Sequence, residues 1–90
     1  TTEESFLYYF NKNIEIDFCV PSAQLAIQVS YNLNDEATYE REVGGLIKFL
    51  KAFPGYQGYI ITRDYETQIE TDGYKIEVIP IWKWLLKKHI

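Results

Sequence analysis

The sequence predicts a small α/β domain: a mixed β-sheet of hairpin strands and one strand–helix–strand crossover, one long packing helix, and a short helix at the end. Three observations carry this. Residues 14–33 contain two runs in which apolar and polar side chains alternate, the period of half-buried strands. Residues 34–53 switch to apolar positions three or four apart, the period of a helix buried along one stripe. Residues 58–79 return to short strand-like runs, the last two separated by Asp72-Gly73, a hairpin turn signal. A strand before and a strand after one helix are expected to lie parallel, joined by a crossover.

Each element follows from its own residues. SFLYYF (5–10) is aromatic and strand-like, and NKN (11–13) makes a turn. IEIDFCV (14–20) places Ile14, Ile16, Phe18 and Val20 on one face and Glu15, Asp17 and Cys19 on the other. Pro21 and Ser22 interrupt it. QLAIQVSYNL (24–33) sets Leu25, Ile27, Val29, Tyr31 and Leu33 against Ala26, Gln28, Ser30 and Asn32. Residues 34–53 form the long helix, with Tyr39, Val43, Leu46, Ile47, Leu50 and Phe53 as its apolar stripe. Asn34 or Asp35 can cap its start, and Pro54-Gly55 ends it. Gly44 and Gly45 each cost about 1 kcal/mol relative to Ala within a helix. The pair points to close approach of the helix to the sheet, with a functional bend as the alternative. GYIIT (58–62) reads as a buried parallel strand, ETQIE (66–70) and YKIEVI (74–79) as a polar hairpin, and Pro80 as the first position of a closing helix.

Register follows from alternation. Directly opposed residues share a face, so matching the apolar faces puts Ile16 near Val29 and Phe18 near Ile27. Asp17 then falls opposite Gln28 and Glu15 opposite Ser30. One face is expected to carry all four polar residues.

Composition bounds the function. The chain has 90 residues, enough for one small domain spanning 1–90, with 47% hydrophobic and 24% charged residues. Aromatic residues make up 17%, a level that suits sheet packing. A formal charge of −4 opposes binding to a phosphate backbone, which a basic surface drives. Cys19 is the single cysteine, so no internal disulfide is possible, and its expected role is a small buried apolar residue. No apolar run is long enough for a membrane span, and no signal peptide is seen. The chain opens on Thr1 and has no methionine, so a piece of a longer chain is expected.

EIDF, IQVSY, the run from Asn34 to Glu42, GYIIT and IEVIPIWKWLL, taken in that order, resemble the C-terminal domain of a family of predicted bacterial and archaeal AAA+ ATPases. That domain is related to the restriction-endonuclease-like, PD-(D/E)xK, nucleases. The resemblance spans residues 6–86. It implies a restriction-endonuclease-like core lacking its first helix, a cytoplasmic setting, and an N-terminal P-loop ATPase domain in the parent chain as the first partner. No GxxxxGK[ST] occurs here, so ATP binding is not assigned to these residues.

In the nucleases, an Asp on one strand and a Glu-x-Lys on the next bind Mg2+ and position the attacking water. Magnesium needs hard anionic oxygens in octahedral geometry, and the lysine helps neutralise the charge developing on phosphate. Carried over, the Asp falls on Asp17, the Glu on Gln28 and the Lys on Ser30. Two of the three positions are therefore substituted. Glu15 lies nearby to replace a carboxylate, and Arg41 or Lys48 to replace the cation. Thr38, Arg41 and Glu42 also match the family and form a candidate interaction face. The expectation is a non-catalytic interaction or regulatory domain, with no cofactor in this chain. A metal-dependent nuclease using Mg2+ at Asp17 and a metal-free nucleic-acid-binding module are the alternatives. Acidic ETQIETD (66–72) is expected as an exposed hairpin. Lys83, Lys87, Lys88 and His89 are expected as a solvated basic end, and Trp82 and Trp84 as core and rim of the closing helix. The sheet needs cover on its second face, from residues 80–90 or by self-association.

Overall fold

The computed structural model describes residues 7–11, 14–31 and 33–88. Strand β1 (Leu7–Asn11) pairs antiparallel with β2 (Ile14–Val20), and β2 antiparallel with β3 (Leu25–Val29). Helix α1 (Glu36–Ala52) crosses over to β4 (Gln57–Thr62), which pairs parallel with β3. The hairpin of β5 (Thr67–Thr71) and β6 (Tyr74–Pro80) follows, with β6 parallel to β4. Helix α2 (Ile81–Lys88) ends the described chain. The six strands form one sheet in the order β1-β2-β3-β4-β6-β5. The expected elements and the parallel crossover are therefore present. Pro80 differs: it is the last strand residue, aligned with Thr62, and α2 starts at Ile81. Residues 5, 6, 12 and 13 of the expected strand and turn lie outside the described residues.

Local chemistry explains the boundaries. The Asp35 carboxylate caps α1, accepting from the Thr38 backbone N–H at 3.0 Å and from the Thr38 hydroxyl at 2.9 Å. These bonds hold the Asp35 carboxyl below its usual range. At the β5–β6 hairpin, Asp72 and Gly73 both adopt positive φ, 53° and 81°, the backbone that lets a two-residue turn match the strand twist.

The sheet buries both faces unequally. Under α1 lie Ile16, Cys19, Ala26, Ile60, Ile76 and Val78, packed against Val43, Leu46, Ile47, Phe49 and Leu50. On the other face Val20, Ile27, Ile61 and Ile79 form a smaller core with Leu25, Tyr59 and Trp84. Phe49, which the sequence stripe omits, is 1% exposed and makes edge contacts with Tyr9 and Tyr56. Tyr39, which it includes, is 37% exposed.

Two corrections to the strand faces matter for the site. Across residues 25–31 the polar-looking set, Ala26, Gln28 and Ser30, is buried; of the apolar set Ile27 is buried too, while Val29 and Tyr31 are 49% and 68% exposed. Alternation separates two faces; it does not say which one the long helix covers. On β2 the alternation itself breaks. Leu7 aligns with Cys19 and Tyr9 with Ile16, so Asp17 and Phe18 together stand opposite the one residue Tyr8. This is a β-bulge. It brings Ile16 and Cys19, three residues apart, to the same α1-facing core. The expected single face of Ile14, Ile16, Phe18 and Val20 is thereby split, as is that of Glu15, Asp17 and Cys19.

Candidate functional site

The bulge opens the sheet locally. The β2–β3 ladder holds Val20 to Leu25, Cys19 to Ala26 and Phe18 to Ile27, and goes no further. β3 meanwhile stays on β4 through Gln28–Ile60 and Val29–Ile61. The backbone groups of β2 and β3 beyond Phe18 and Ile27 therefore need other partners, because an unpaired buried peptide group is costly.

Side chains supply them. The Asp17 N–H donates to Gln28 Oε1 at 3.0 Å, and Gln28 Nε2 donates to the Glu15 carbonyl oxygen at 3.1 Å. The Val29 N–H donates to Asp17 Oδ2 at 2.8 Å. Gln28, only 3% exposed, thus inserts its amide where two ladder bonds would have been, and Asp17 closes the next gap. The expected pairing of Phe18 with Ile27 is present. Ile16 with Val29 and Glu15 with Ser30 do not pair, because the bulge and split intervene.

Above the split lies the first half of α1. Glu15, Asp17, Gln28, Arg41, Glu42 and Gly45 line a cleft of about 220 Å³. The two separate groups of candidates, Asp17 with Gln28 and Glu15, and Arg41 with Glu42, therefore meet. Gly45 makes the approach possible: a Cβ there would stand 3.3 Å from Gln28 Nε2 and 3.6 Å from the Glu15 carbonyl oxygen. At Gly44 a Cβ would meet nothing within 4 Å. Of the pair, close approach is thus the role of Gly45.

Three candidates sit elsewhere. Ser30 lines an apolar hollow with Val29, Tyr31 and Ile81, and its N–H donates to the Ile61 carbonyl at 2.9 Å. Lys48 lines a different groove, with Glu40, Gly44, Lys51 and Asp72. Thr38 is a partner of the Asp35 cap. Of the two cations considered as a lysine substitute, only Arg41 reaches the cleft, where it lies 3.7 Å from the neighbouring Glu42 carboxylate. At the chain end Lys83 pairs with Glu66, and Trp84 packs on Tyr59 with ring centroids 5.2 Å apart. The expected order of the two tryptophans is reversed: Trp82 is 57% exposed and Trp84 takes the packed place, and the side chains of residues 87–90 lie outside the described ones.

The electrostatics of the cleft are acidic. Burial pushes the Glu42 carboxyl above its usual range, and the charges of Asp17 and Glu15 push the same way against the pull of Arg41. Even so, the three carboxylates do not converge. Glu15 Oε2 accepts from the Tyr8 hydroxyl at 2.7 Å, and Asp17 Oδ2 accepts from Val29. Among the described residues no three acidic, His or Cys side chains are grouped as metal ligands would be. Gln28 brings a neutral oxygen already occupied by a peptide N–H. As arranged, Asp17 and Gln28 close the split in the sheet.

No match was found. Comparison with protein-family models, with curated proteins and with solved structures gave none for this chain. Among the described residues, no helix is long and apolar enough to cross a membrane.

The sequence carried signals for part of what alternation missed. Three consecutive apolar residues, Phe18-Cys19-Val20, follow a strictly alternating start in β2, which is how a change of phase looks in one dimension. The Gly44-Gly45 pair marked the helix approach. Nothing local marked Glu42 as a neighbour of Asp17.

Proposed function

We propose that this domain is a non-catalytic interaction or regulatory module with a nuclease-like core, carried at the C-terminus of a cytoplasmic AAA+ ATPase. The observation that carries the reading is the commitment of Asp17 and Gln28 to peptide groups. They stand where the resemblance puts the nuclease Asp and Glu, and both serve to bridge β2 and β3. A three-strand antiparallel meander followed by a helix crossover to a parallel strand also agrees with such a core. Binding by the parent ATPase domain would use the exposed start of α1, where Arg41 is 69% exposed beside the cleft.

A metal-dependent nuclease remains the competing reading, favoured by the shared negative field of Glu15, Asp17 and Glu42. One experiment separates them. The protein is incubated with supercoiled plasmid and with single-stranded DNA in Mg2+ or Mn2+, beside Asp17→Asn. No cleavage above background is expected. Cleavage that Asp17→Asn abolishes in a folded protein overturns the non-catalytic reading. The ATPase assignment is tested separately, by joining or adding the domain to the ATPase portion of its parent chain: an altered ATP turnover supports it, and an unchanged rate with no binding refutes it.

A further inference from the structure

The second face of the sheet is half covered, and α2 is apolar on more sides than its own sheet uses. α2 lies over β4 and β6. Helices pack about 8–10 Å apart and strands lie about 4.8 Å apart, so one helix covers two strands. The next place for a helix on this face is over β2 and β3. There, Phe18, Val29 and Tyr31 are between 42% and 68% exposed. Two adjoining apolar hollows of about 180 and 250 Å³ run between them and the start of α2.

α2 presents three apolar sides. Trp84 faces its own sheet, against Tyr59. Ile81 lines both hollows, Leu85 continues the same flank one turn on, and Trp82 and Leu86 form the next side, 57% and 60% exposed. Lys83 occupies the remaining side, paired with Glu66. A helix apolar on this much of its circumference is a buried helix, and eight residues are too few to be stable without packing.

We infer that the occupant is a second copy of this chain, in a two-fold dimer whose two α2 helices lie side by side in one layer between two sheets. Each α2 then rests Trp84 on its own sheet, its Ile81–Leu85 flank on the partner helix, and Trp82 and Leu86 over the partner's β2 and β3. One chain carries both the projecting helix and the place it fits, which is what an isologous contact requires. The half-exposed side chains involved offer roughly 600 Å² per copy, which reaches the ~1,200 Å² total at which stable interfaces begin. The inference does not depend on the nuclease-like reading, and DNA cleavage would leave it standing.

Sedimentation and light scattering of the 90-residue protein, from low micromolar to millimolar, are expected to show a monomer–dimer equilibrium. Val29→Lys and Leu86→Lys, each at an exposed side chain, should each raise the dissociation constant roughly a hundredfold, since every change occurs twice in the contact. Circular dichroism checks that both variants fold, and Tyr39→Lys on α1 should leave the dimer unchanged. Mixing Val29→Cys with Leu86→Cys under mild oxidation should give a disulfide-linked heterodimer, Cys19 being buried. A monomer at every concentration overturns the inference. So does a dimer that keeps its affinity in both lysine variants, or one lost in Phe10→Lys alone, which would put the contact on β1.

Discussion

Replacing Gly45 by Ala should fail to give the stability that the same change gives one residue earlier. Ala is favoured over Gly inside a helix by about 1 kcal/mol. At Gly44 the new methyl meets nothing within 4 Å, so Gly44→Ala should collect that gain. At Gly45 the methyl would stand 3.3 Å from Gln28 Nε2, inside the ~3.5–4.0 Å of an optimal contact. Gln28 cannot turn aside freely, because its amide holds the Asp17 N–H at 3.0 Å and the Glu15 carbonyl at 3.1 Å. Losing those bonds costs about 0.5–1.5 kcal/mol each. The alternative, lifting α1, loosens Leu46 and Leu50, which lie within 3.2 Å of where a Cβ on Gly58 would be. Gly45→Ala should therefore be less stable than Gly44→Ala by about 1–2 kcal/mol. For a domain of this size that is a difference of roughly 5–15 °C in Tm. Urea unfolding followed by tryptophan fluorescence measures both variants. In a Gln28→Ala background the difference should shrink, because the obstructing amide is gone. Equal stabilisation by the two alanines, with no coupling to Gln28, would refute the account of Gln28 as a fixed bridge.

Asp17→Asn should be tolerated better than Asp17→Ala. The amide oxygen can still accept from the Val29 N–H, whereas alanine leaves that group to find water, at a cost of about 1–2 kcal/mol in urea unfolding. The pH dependence at Glu42 has a definite sign. Its folded pKa is raised above the ordinary 4.5, so the folded state holds the proton more tightly, and stability falls as pH rises from about 4.5 through the folded value. Glu42→Gln should flatten this fall, and a variant with the wild-type slope between pH 4 and 7 would show that Glu42 is not the group responsible.

Element type was readable because it depends on local period and punctuation. The α1 stripe, the Asp72-Gly73 turn and the parallel crossover each rest on a few neighbouring residues. What was hidden depends on distant partners. Ala26 and Gln28 look like part of a solvent face, yet they are buried where α1 lies over them. The meeting of Asp17 with Glu42 needs both the split between β2 and β3 and the close seat of Gly45, and neither is a property of any one segment.

The additional residue in β2 behaves as a phase shifter. The first half of the strand supplies Ile16 to the large core, and the second half supplies both Cys19 to that core and Val20 to the small one. Deleting Asp17 would leave Ile16, Phe18, Cys19 and Val20 in unbroken alternation, with Ile16 and Cys19 still turned to the large core and Val20 to the small one. The surplus residue is thus not needed for the inside–outside pattern of β2; what its removal would forfeit is the bridge that Asp17 makes to Gln28 and Val29 across the split.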